Sequence, residues 1–342
     1  MDRIEGLARG VREVAELPDP VGSLIEQAQR PNGLLVGRMR IPLGVIAMIF
    51  ESRPNIVVDA GVLCLKSGNV CILKGGSEAR HSNEALVRVL HEALEFCGLP
   101  ADVVVSLTDR GQVAELLEQA DTVDLVIPRG GEGLIRYVTA NSRIPVVQHY
   151  KGVCHVYVDE GADADMAEAI VVNSKTLRPG VCNAAETLLI HRAEAGRLLP
   201  RLISALRNKG VELVGSDDVC DLHPELSQAT AEDWDTEYLE LKMSVAIVSD
   251  VDGAISHIQQ HGSDHTEVIV TESYSRARQL VTAVSSSCVL VNAATRFNDG
   301  GQLGLGAEIG ISTSRFHAYG PMGLNELTTT KFVVYGGGQI RQ

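Results

Sequence analysis

The feature that most constrains this chain is a succession of short segments that are apolar at nearly every position, each followed by a stretch of helical spacing. Residues 44–50 read Gly-Val-Ile-Ala-Met-Ile-Phe. No polar residue is left to face water, as expected of a strand buried on both faces. The spacing predicts a helix over 55–65, a strand at 70–73, and a helix with Ser82 as its N-cap and Gly98 with Pro100 as its stop. A strand at 103–105, a helix at 112–120, and strands at 123–127 and 144–147 follow, the last two separated by a helix that opens at a Gly-rich turn. The second half repeats the style. Strands are expected at 155–158, 187–190, 245–248, 268–270 and 288–291, with helices at 166–174, 193–209, 253–261 and 275–284. An N-terminal helix over 4–17, a loosely alternating strand pair at 33–41, a long Gly-rich loop at 300–310 and a β-like run over 327–334 complete the pattern. Such alternation predicts an α/β fold of doubly wound parallel sheets with right-handed crossovers, binding ligands beyond the carboxyl ends of the strands.

A chain of 342 residues holds about two domains. Its 45% hydrophobic and 22% charged residues are those of an ordinary globular protein, which excludes a disordered chain, a collagen and a coiled coil. With 30 Lys and Arg against 44 Asp and Glu, the net charge of −14 repels nucleic acid and anionic membranes, so neither is an expected partner. The run ending at Phe50 is far shorter than the ~20 residues of a membrane span. No basic segment followed by an apolar one opens the sequence, and the seven cysteines are scattered without a CxxC pair. A reducing, cytoplasmic setting is expected, with neither a zinc knuckle nor a disulfide frame.

No Gly-x-Gly-x-x-Gly follows the first strand, so an ordinary dinucleotide fingerprint is not signalled. Two turns can hold phosphate: Lys74-Gly75-Gly76-Ser77, and Gly130-Gly131-Glu132-Gly133 at the start of a helix. Both offer backbone N–H groups and the first adds a cation. Both are equally tight turns that need glycine for backbone reasons alone. Cys182 lies in Arg178-Pro179-Gly180-Val181-Cys182-Asn183, where Pro and Gly predict an irregular turn that exposes the side chain. Arg178 and nearby backbone N–H groups can supply the electropositive setting a thiolate needs. Composition alone leaves nucleophile and small hydrophobe both open for Cys182, whereas the other cysteines mostly sit in apolar runs. His149, Cys154 and His155 are close in sequence, but no second cluster completes a ligand set, so no metal is expected. No Gly-x-Ser-x-Gly elbow signals a serine hydrolase. Asp299 and Glu308 read as solvated loop acids.

Several segments, taken in order, carry a resemblance. They are Pro42-Leu-Gly-Val-Ile46 with Glu51-Ser-Arg-Pro-Asn55, Leu65-Lys-Ser-Gly-Asn-Val-Cys-Ile-Leu-Lys-Gly-Gly-Ser77 and Ile127-Pro-Arg-Gly-Gly131. Gly152-Val-Cys-His-Val-Tyr-Val-Asp159, Arg178-Pro-Gly-Val-Cys-Asn-Ala-Ala-Glu-Thr187 and Gly262-Ser-Asp-His-Thr-Glu267 follow. The last are Asn292-Ala-Ala-Thr-Arg-Phe-Asn-Asp-Gly-Gly301, Gly304-Leu-Gly-Ala-Glu308 and Gly320-Pro-Met-Gly-Leu324. With these the chain resembles the γ-glutamyl phosphate reductases (glutamate-5-semialdehyde dehydrogenases) of the aldehyde dehydrogenase superfamily. The resemblance implies NADPH-dependent reduction of L-glutamyl 5-phosphate to the 5-semialdehyde in proline biosynthesis, with Cys182 at the nucleophile's position. Its thiolate would displace phosphate, carry a thioester, and receive hydride through a thiohemiacetal.

The resemblance also assigns the remaining residues. Lys74, Gly75, Ser77, Gly130, Gly131 and Glu237 match the cofactor site, and Arg53, Arg178 and Arg296 are the expected clamps for a substrate bearing a carboxylate and a phosphate. Hydrolytic relatives carry a glutamate base where this chain has Gln148-His149-Tyr150-Lys151-Gly152, which holds no carboxylate to activate water. NAD-preferring relatives often place an acid at the position of Ser77, so NADP(H) is expected. Hydrolytic relatives have an asparagine near Arg53 as an oxyanion donor, and that half of the oxyanion hole is unassigned here.

The superfamily implies a cofactor-binding part over 1–20 and 43–154, a catalytic part over 155–326, and bridging strands at 21–42 and 327–342 that join a neighbour's sheet in a homo-oligomer. Family members carry a further helical segment before the point matching Met1. Two rival readings share most of these residues: a CoA-acylating aldehyde dehydrogenase, and a catalytically inert shortened homologue. Coupling to the glutamate 5-kinase that makes the labile acyl phosphate would fit the reductase reading.

Overall fold

In the computed structural model, which describes residues 2–109 and 111–341, the chain divides into two units: the part up to Gln148 together with the part from Gly300, and His149–Asp299. The first unit opens with helix α1 (Asp2–Glu16), strands β1 (Leu24–Gln29), β2 (Leu35–Pro42) and β3 (Val45–Phe50), and helix α2 (Asn55–Lys66). It continues with β4 (Val70–Gly75), α3 (Arg80–Phe96), β5 (Val104–Ser106), α4 (Gln112–Leu117), β6 (Leu125–Arg129) and α5 (Glu132–Asn141). The second unit contains β7 (Cys154–Val158), α6 (Ala164–Thr176), β8 (Ala185–His191), α7 (Leu199–Arg207), β9 (Glu212–Gly215), α8 (Asp217–Leu222) and β10 (Ser227–Gln228). It closes with β11 (Lys242–Val248), α9 (Val251–His261), β12 (Thr266–Val270), α10 (Tyr274–Ala283) and β13 (Cys288–Val291). From Gly300 the chain returns to the first unit with β14 (Gly310–Ser312), β15 (Gly320–Met322) and β16 (Thr328–Tyr335). Residues 300–326, expected with the catalytic part, therefore cluster with the first unit.

Each unit is built on a parallel sheet, ordered β5-β4-β3-β6 in the first and β10-β9-β11-β8-β7-β12-β13 in the second. The apolar runs do not alternate because both faces of each sheet are covered. In β3, Ile46, Met48 and Phe50 pack with Val57 and Leu63 of α2 and Leu94 of α3. Ala47 and Ile49 point the other way, onto Leu116, Leu117 and Val138. The second unit repeats this, with Val156 and Val158 against α6 and α7 and Tyr157 against α9 and α10. Burying each large side chain contributes roughly 1.5–3 kcal/mol. A third, antiparallel sheet of the first unit has the order β1-β2-β16, and β16 leaves Phe332, Val334 and Tyr335 exposed.

Some sequence expectations are corrected. Helix α3 begins at Arg80 behind a 3-10 turn, so Ser82 lies inside it and caps nothing. No strand forms at 144–147. Pro145 has no N–H to donate, and only the Val126–Val146 bridge remains. The helix expected over 193–209 breaks into a 3-10 turn (Arg192–Glu194) and α7, because Pro200 fits only the first turn of a helix. The pair expected at 33–41 is a single strand, β2, whose polar partner β1 lies upstream. Glu308 is not a solvated acid, since it accepts the Gly300 N–H at 2.8 Å. Among the described residues no helix is long and apolar enough to cross a membrane.

Candidate active site

In the first unit the candidate cofactor residues sit where a parallel sheet binds ligands, at the carboxyl ends of β3, β4 and β6. The three turns there are tied together. The Ser52 N–H and Oγ donate to Glu78 Oε1 at 2.6 and 3.0 Å, the Glu51 N–H to the Arg129 carbonyl at 3.1 Å, and the Gly131 N–H to Glu51 Oε2 at 3.0 Å. Ser52 holds a left-handed backbone (φ 47°), a conformation costly for a residue with a side chain. A Cβ at Gly130 would meet the Glu51 carboxylate and the end of the Leu134 side chain, which would have to move aside.

The α5 N-terminus already receives one negative charge, from Glu51, so its backbone amides fit an anion such as a dinucleotide phosphate. Lys74 is buried apart from its tip, and its ammonium donates to the Gly75 carbonyl at 2.7 Å. Ser77 is exposed at the start of the turn that leads into α3. The next residue, Glu78, is held below the usual carboxylate range by hydrogen bonds from its own N–H and from Ser52. Arg53 is exposed just beyond β3.

In the second unit the geometry reverses the expected rule. Cys182 precedes β8, His149 precedes β7 and His265 precedes β12, so the site lies at the amino ends of three adjacent parallel strands. Cys182 is half-buried on the irregular turn between α6 and β8. The stretch that carries the base in hydrolytic relatives does lie against this turn: a Cβ at Gly152 would overlap the Cys182 carbonyl. That stretch presents an imidazole. Ligand atoms of His149, Cys182 and His265 all lie within 4.8 Å of one another, and the two rings meet edge to face at 5.6 Å.

The turn is anchored from below. Cys154 directs its Sγ at the Cys182 carbonyl at 3.2 Å, and burial pushes the Cys154 thiol well up, so it stays protonated. Asn183 donates to the Asn298 carbonyl at 2.8 Å, while Asn298 donates to Thr266 Oγ1 at 2.7 Å. Thr266 Oγ1 also bonds His265 Nδ1 at 2.7 Å.

Arg296 sits close enough to Cys182, Arg178 and Asp299 for their charges to act on it, and burial lowers its guanidinium's affinity for its proton. Its Nε and Nη1 are buried without a hydrogen-bond partner among the described residues. A guanidinium left with unmet donors beside a second arginine is an arrangement completed by an anion. Arg178 itself is exposed. Arg296 thus lies within electrostatic range of Cys182 and Arg178, whereas Arg53 belongs to the other unit.

Glu237 is half-buried in the loop between β10 and β11. Beneath that loop lies a pair the sequence does not flag, Lys175 and Glu186, fully buried with Nζ and Oε2 2.5 Å apart. Burial pushes Glu186 up to about 8, against the pull of Lys175, and pushes Lys175 down. The Lys175 ammonium lies 5.8 Å from the Tyr238 ring centre. His265 was also missed. Its segment is legible, but nothing local indicates that β12 carries it to the Cys182 turn.

The aldehyde dehydrogenase family profile matches residues 3–240 of the chain. A γ-glutamyl phosphate reductase of Desulfatibacillum aliphaticivorans is 59% identical over 340 residues, covering 99% of this chain and 81% of that protein. A γ-glutamyl phosphate reductase of Geobacter metallireducens is 57% identical over 342 residues, 99% of this chain and 82% of the relative. The crystal structure of γ-glutamyl phosphate reductase from Thermotoga maritima superposes with a TM-score of 0.97 at 46% identity, covering 100% of this chain and 83% of that one.

Proposed function

The chain belongs to the γ-glutamyl phosphate reductases of the aldehyde dehydrogenase family, and on that premise we propose that it reduces L-glutamyl 5-phosphate to L-glutamate 5-semialdehyde with NADPH, through a thioester on Cys182, in proline biosynthesis. The observation that carries the reading is the half-buried Cys182 thiol, with His149 and His265 ligand atoms within 4.8 Å and the under-partnered Arg296 guanidinium within electrostatic range. An imidazole nitrogen of His149 or His265 accepts the thiol proton, directly or through one water. Arg296 and Arg178 receive the substrate's anionic groups. The Cys182 sulfur attacks the acyl carbon, the carbon–oxygen bond to phosphate breaks, and phosphate departs. The backbone N–H of Cys182 meets the developing oxyanion.

The nicotinamide cofactor, when bound, supplies the hydride that converts the thioester to a thiohemiacetal. Collapse of that adduct returns the thiolate and releases the aldehyde. In the first unit Lys74 holds a ribose group, and the Gly130–Gly131 amides take a phosphate in place of the Glu51 carboxylate. The stretch Gln148-His149-Tyr150-Lys151-Gly152, which matches the base-bearing segment of hydrolytic relatives, holds no carboxylate, so the thioester faces no carboxylate base from it.

The reverse reaction tests this against the CoA-acylating alternative. Oxidation of the semialdehyde by NADP should turn over with inorganic phosphate and stall with CoA or with neither. Turnover with CoA, or equal turnover with neither, would overturn the reading. Failure of NADPH to change its fluorescence on titration would favour an inert homologue instead.

NADP preference rests on Ser77. Ser77→Glu should raise the KM for NADPH about tenfold or more through charge repulsion with the 2′-phosphate, and leave that for NADH nearly unchanged. An equal effect on both cofactors would remove the argument. The exposed apolar face of β16 and its unpaired strand edge fit pairing with a second copy. Light scattering should give at least twice the chain mass, and Phe332→Lys should shift it toward the monomer; a monomer at micromolar concentration would contradict the pairing.

A further inference from the structure

We propose that Cys182, His149 and His265 form a capture site for a borderline-soft divalent cation, with Zn2+ as the probe, and that capture shuts the enzyme off reversibly. The three candidate ligand atoms already lie within 4.8 Å of one another. In a tetrahedral site with Zn–S near 2.3 Å and Zn–N near 2.0 Å, neighbouring donors are roughly 3.5 Å apart, so closing the set takes a shift of about 1 Å. Two of the three can make that shift. His149 and Cys182 are half-buried on segments outside regular secondary structure, while His265 is fully buried and held at its Nδ1 side by Thr266.

One sulfur and two imidazole nitrogens suit zinc and not magnesium or calcium, which take oxygen donors. Three protein ligands also leave a fourth position for water. A second thiol, Cys154, lies nearby, its Sγ 3.2 Å from the Cys182 carbonyl and 3.7 Å from His265 Nδ1, but burial holds it protonated and outside the ligand set.

The consequence for turnover rests on the reading of Cys182 as the nucleophile. The sulfur lone pair that attacks the acyl phosphate is the one donated to the cation, so the metal-bound and acylated states exclude each other. Capture breaks the Cys182 S–H bond and releases its proton to solvent, needs no redox change, and is reversed by a chelator.

The experiment uses the full chain, reduced and freed of metal. Equilibrium dialysis should show one Zn2+ bound per chain, with loss of activity in proportion to occupancy and recovery on adding EDTA. Co2+ should give the near-ultraviolet thiolate-to-cobalt band and the strong visible bands of a tetrahedral site, and Zn2+ should erase them. His265→Asn and His149→Gln should each weaken Zn2+ binding by at least the ~10–100-fold that loss of even an outer-shell partner costs. His149 is half-buried, so its variant carries the test should the His265 variant fail to fold. Replacing the exposed thiol of Cys97 with Ser should leave binding and inhibition unchanged. Unaltered zinc affinity in both histidine variants, or no stoichiometric binding, would overturn the site. Full Zn2+ occupancy with the cobalt bands present and turnover untouched would uphold the site and instead overturn Cys182 as nucleophile.

Discussion

Cys182→Ser is expected to bind NADPH with wild-type affinity and to lose roughly three orders of magnitude or more of phosphate-dependent activity. The hydroxyl is far harder to ionise than the thiol, and a serine ester is a poorer hydride acceptor than a thioester. No other sulfur can substitute. Cys154 is the nearest alternative, but burial holds its thiol protonated and its Sγ faces the Cys182 carbonyl. The turn itself should keep its shape, because its anchors are the Asn183–Asn298 bond and the close approach of Gly152, neither of which uses the Cys182 side chain. Steady-state rates in both directions, with NADPH fluorescence titration as the folding control, check this. Activity within tenfold of wild type would remove Cys182 from the mechanism.

Arg296→Met is the second large effect. Two of its guanidinium nitrogens are buried and unmet among the described residues. If an anionic substrate group supplies both partners, each charge-assisted bond is worth about 1.5–3 kcal/mol. Losing both lowers kcat/KM by about a hundred- to ten-thousandfold. The loss should appear in the KM for phosphate in the reverse direction, with the KM for NADP little changed. Arg296→Lys should recover only part of it, since an ammonium cannot present the planar fork. Because Arg296 is partly buried among Thr295 and Asn298, thermal unfolding should be measured alongside. A variant as stable as wild type with unaltered phosphate dependence would contradict the assignment.

How much of this was legible in the sequence depends on the distance over which each signal acts. Strands β3, β4, β7, β8 and β12 were readable because burial on both faces leaves a mostly apolar run, broken in β7, β8 and β12 only by buried polar residues. Strand β1 was not, since an exposed edge with sequence Leu-Ile-Glu-Gln-Ala-Gln carries no such pattern. Pro145 and Pro200 misled in the same way: local hydrophobicity favoured an element that a missing N–H forbids.

At the site, the Pro-Gly turn marked Cys182, and the motif marked Arg296. Its unmet donors emerge only when the 295–298 segment packs against the Cys182 turn. His265 reaches Cys182 through the pairing of β12 with β7 and of β7 with β8, which no local spacing encodes. Sequence rules for α/β sheets located the candidate phosphate turns at the carboxyl ends of the first sheet. They did not foresee that the second sheet places Cys182 at the amino ends of its strands.

The central claim is that an acyl group rests on Cys182 until phosphate removes it and that water does not. Mixing enzyme with semialdehyde and NADP in the absence of phosphate, with rapid quenching, tests it directly. The account predicts a burst of about one NADPH per active site, a mass increase of one glutamyl group on the peptide bearing Cys182, and steady turnover only when phosphate is added. Steady NADPH formation at an undiminished rate without phosphate, or an adduct on any other residue, would contradict it.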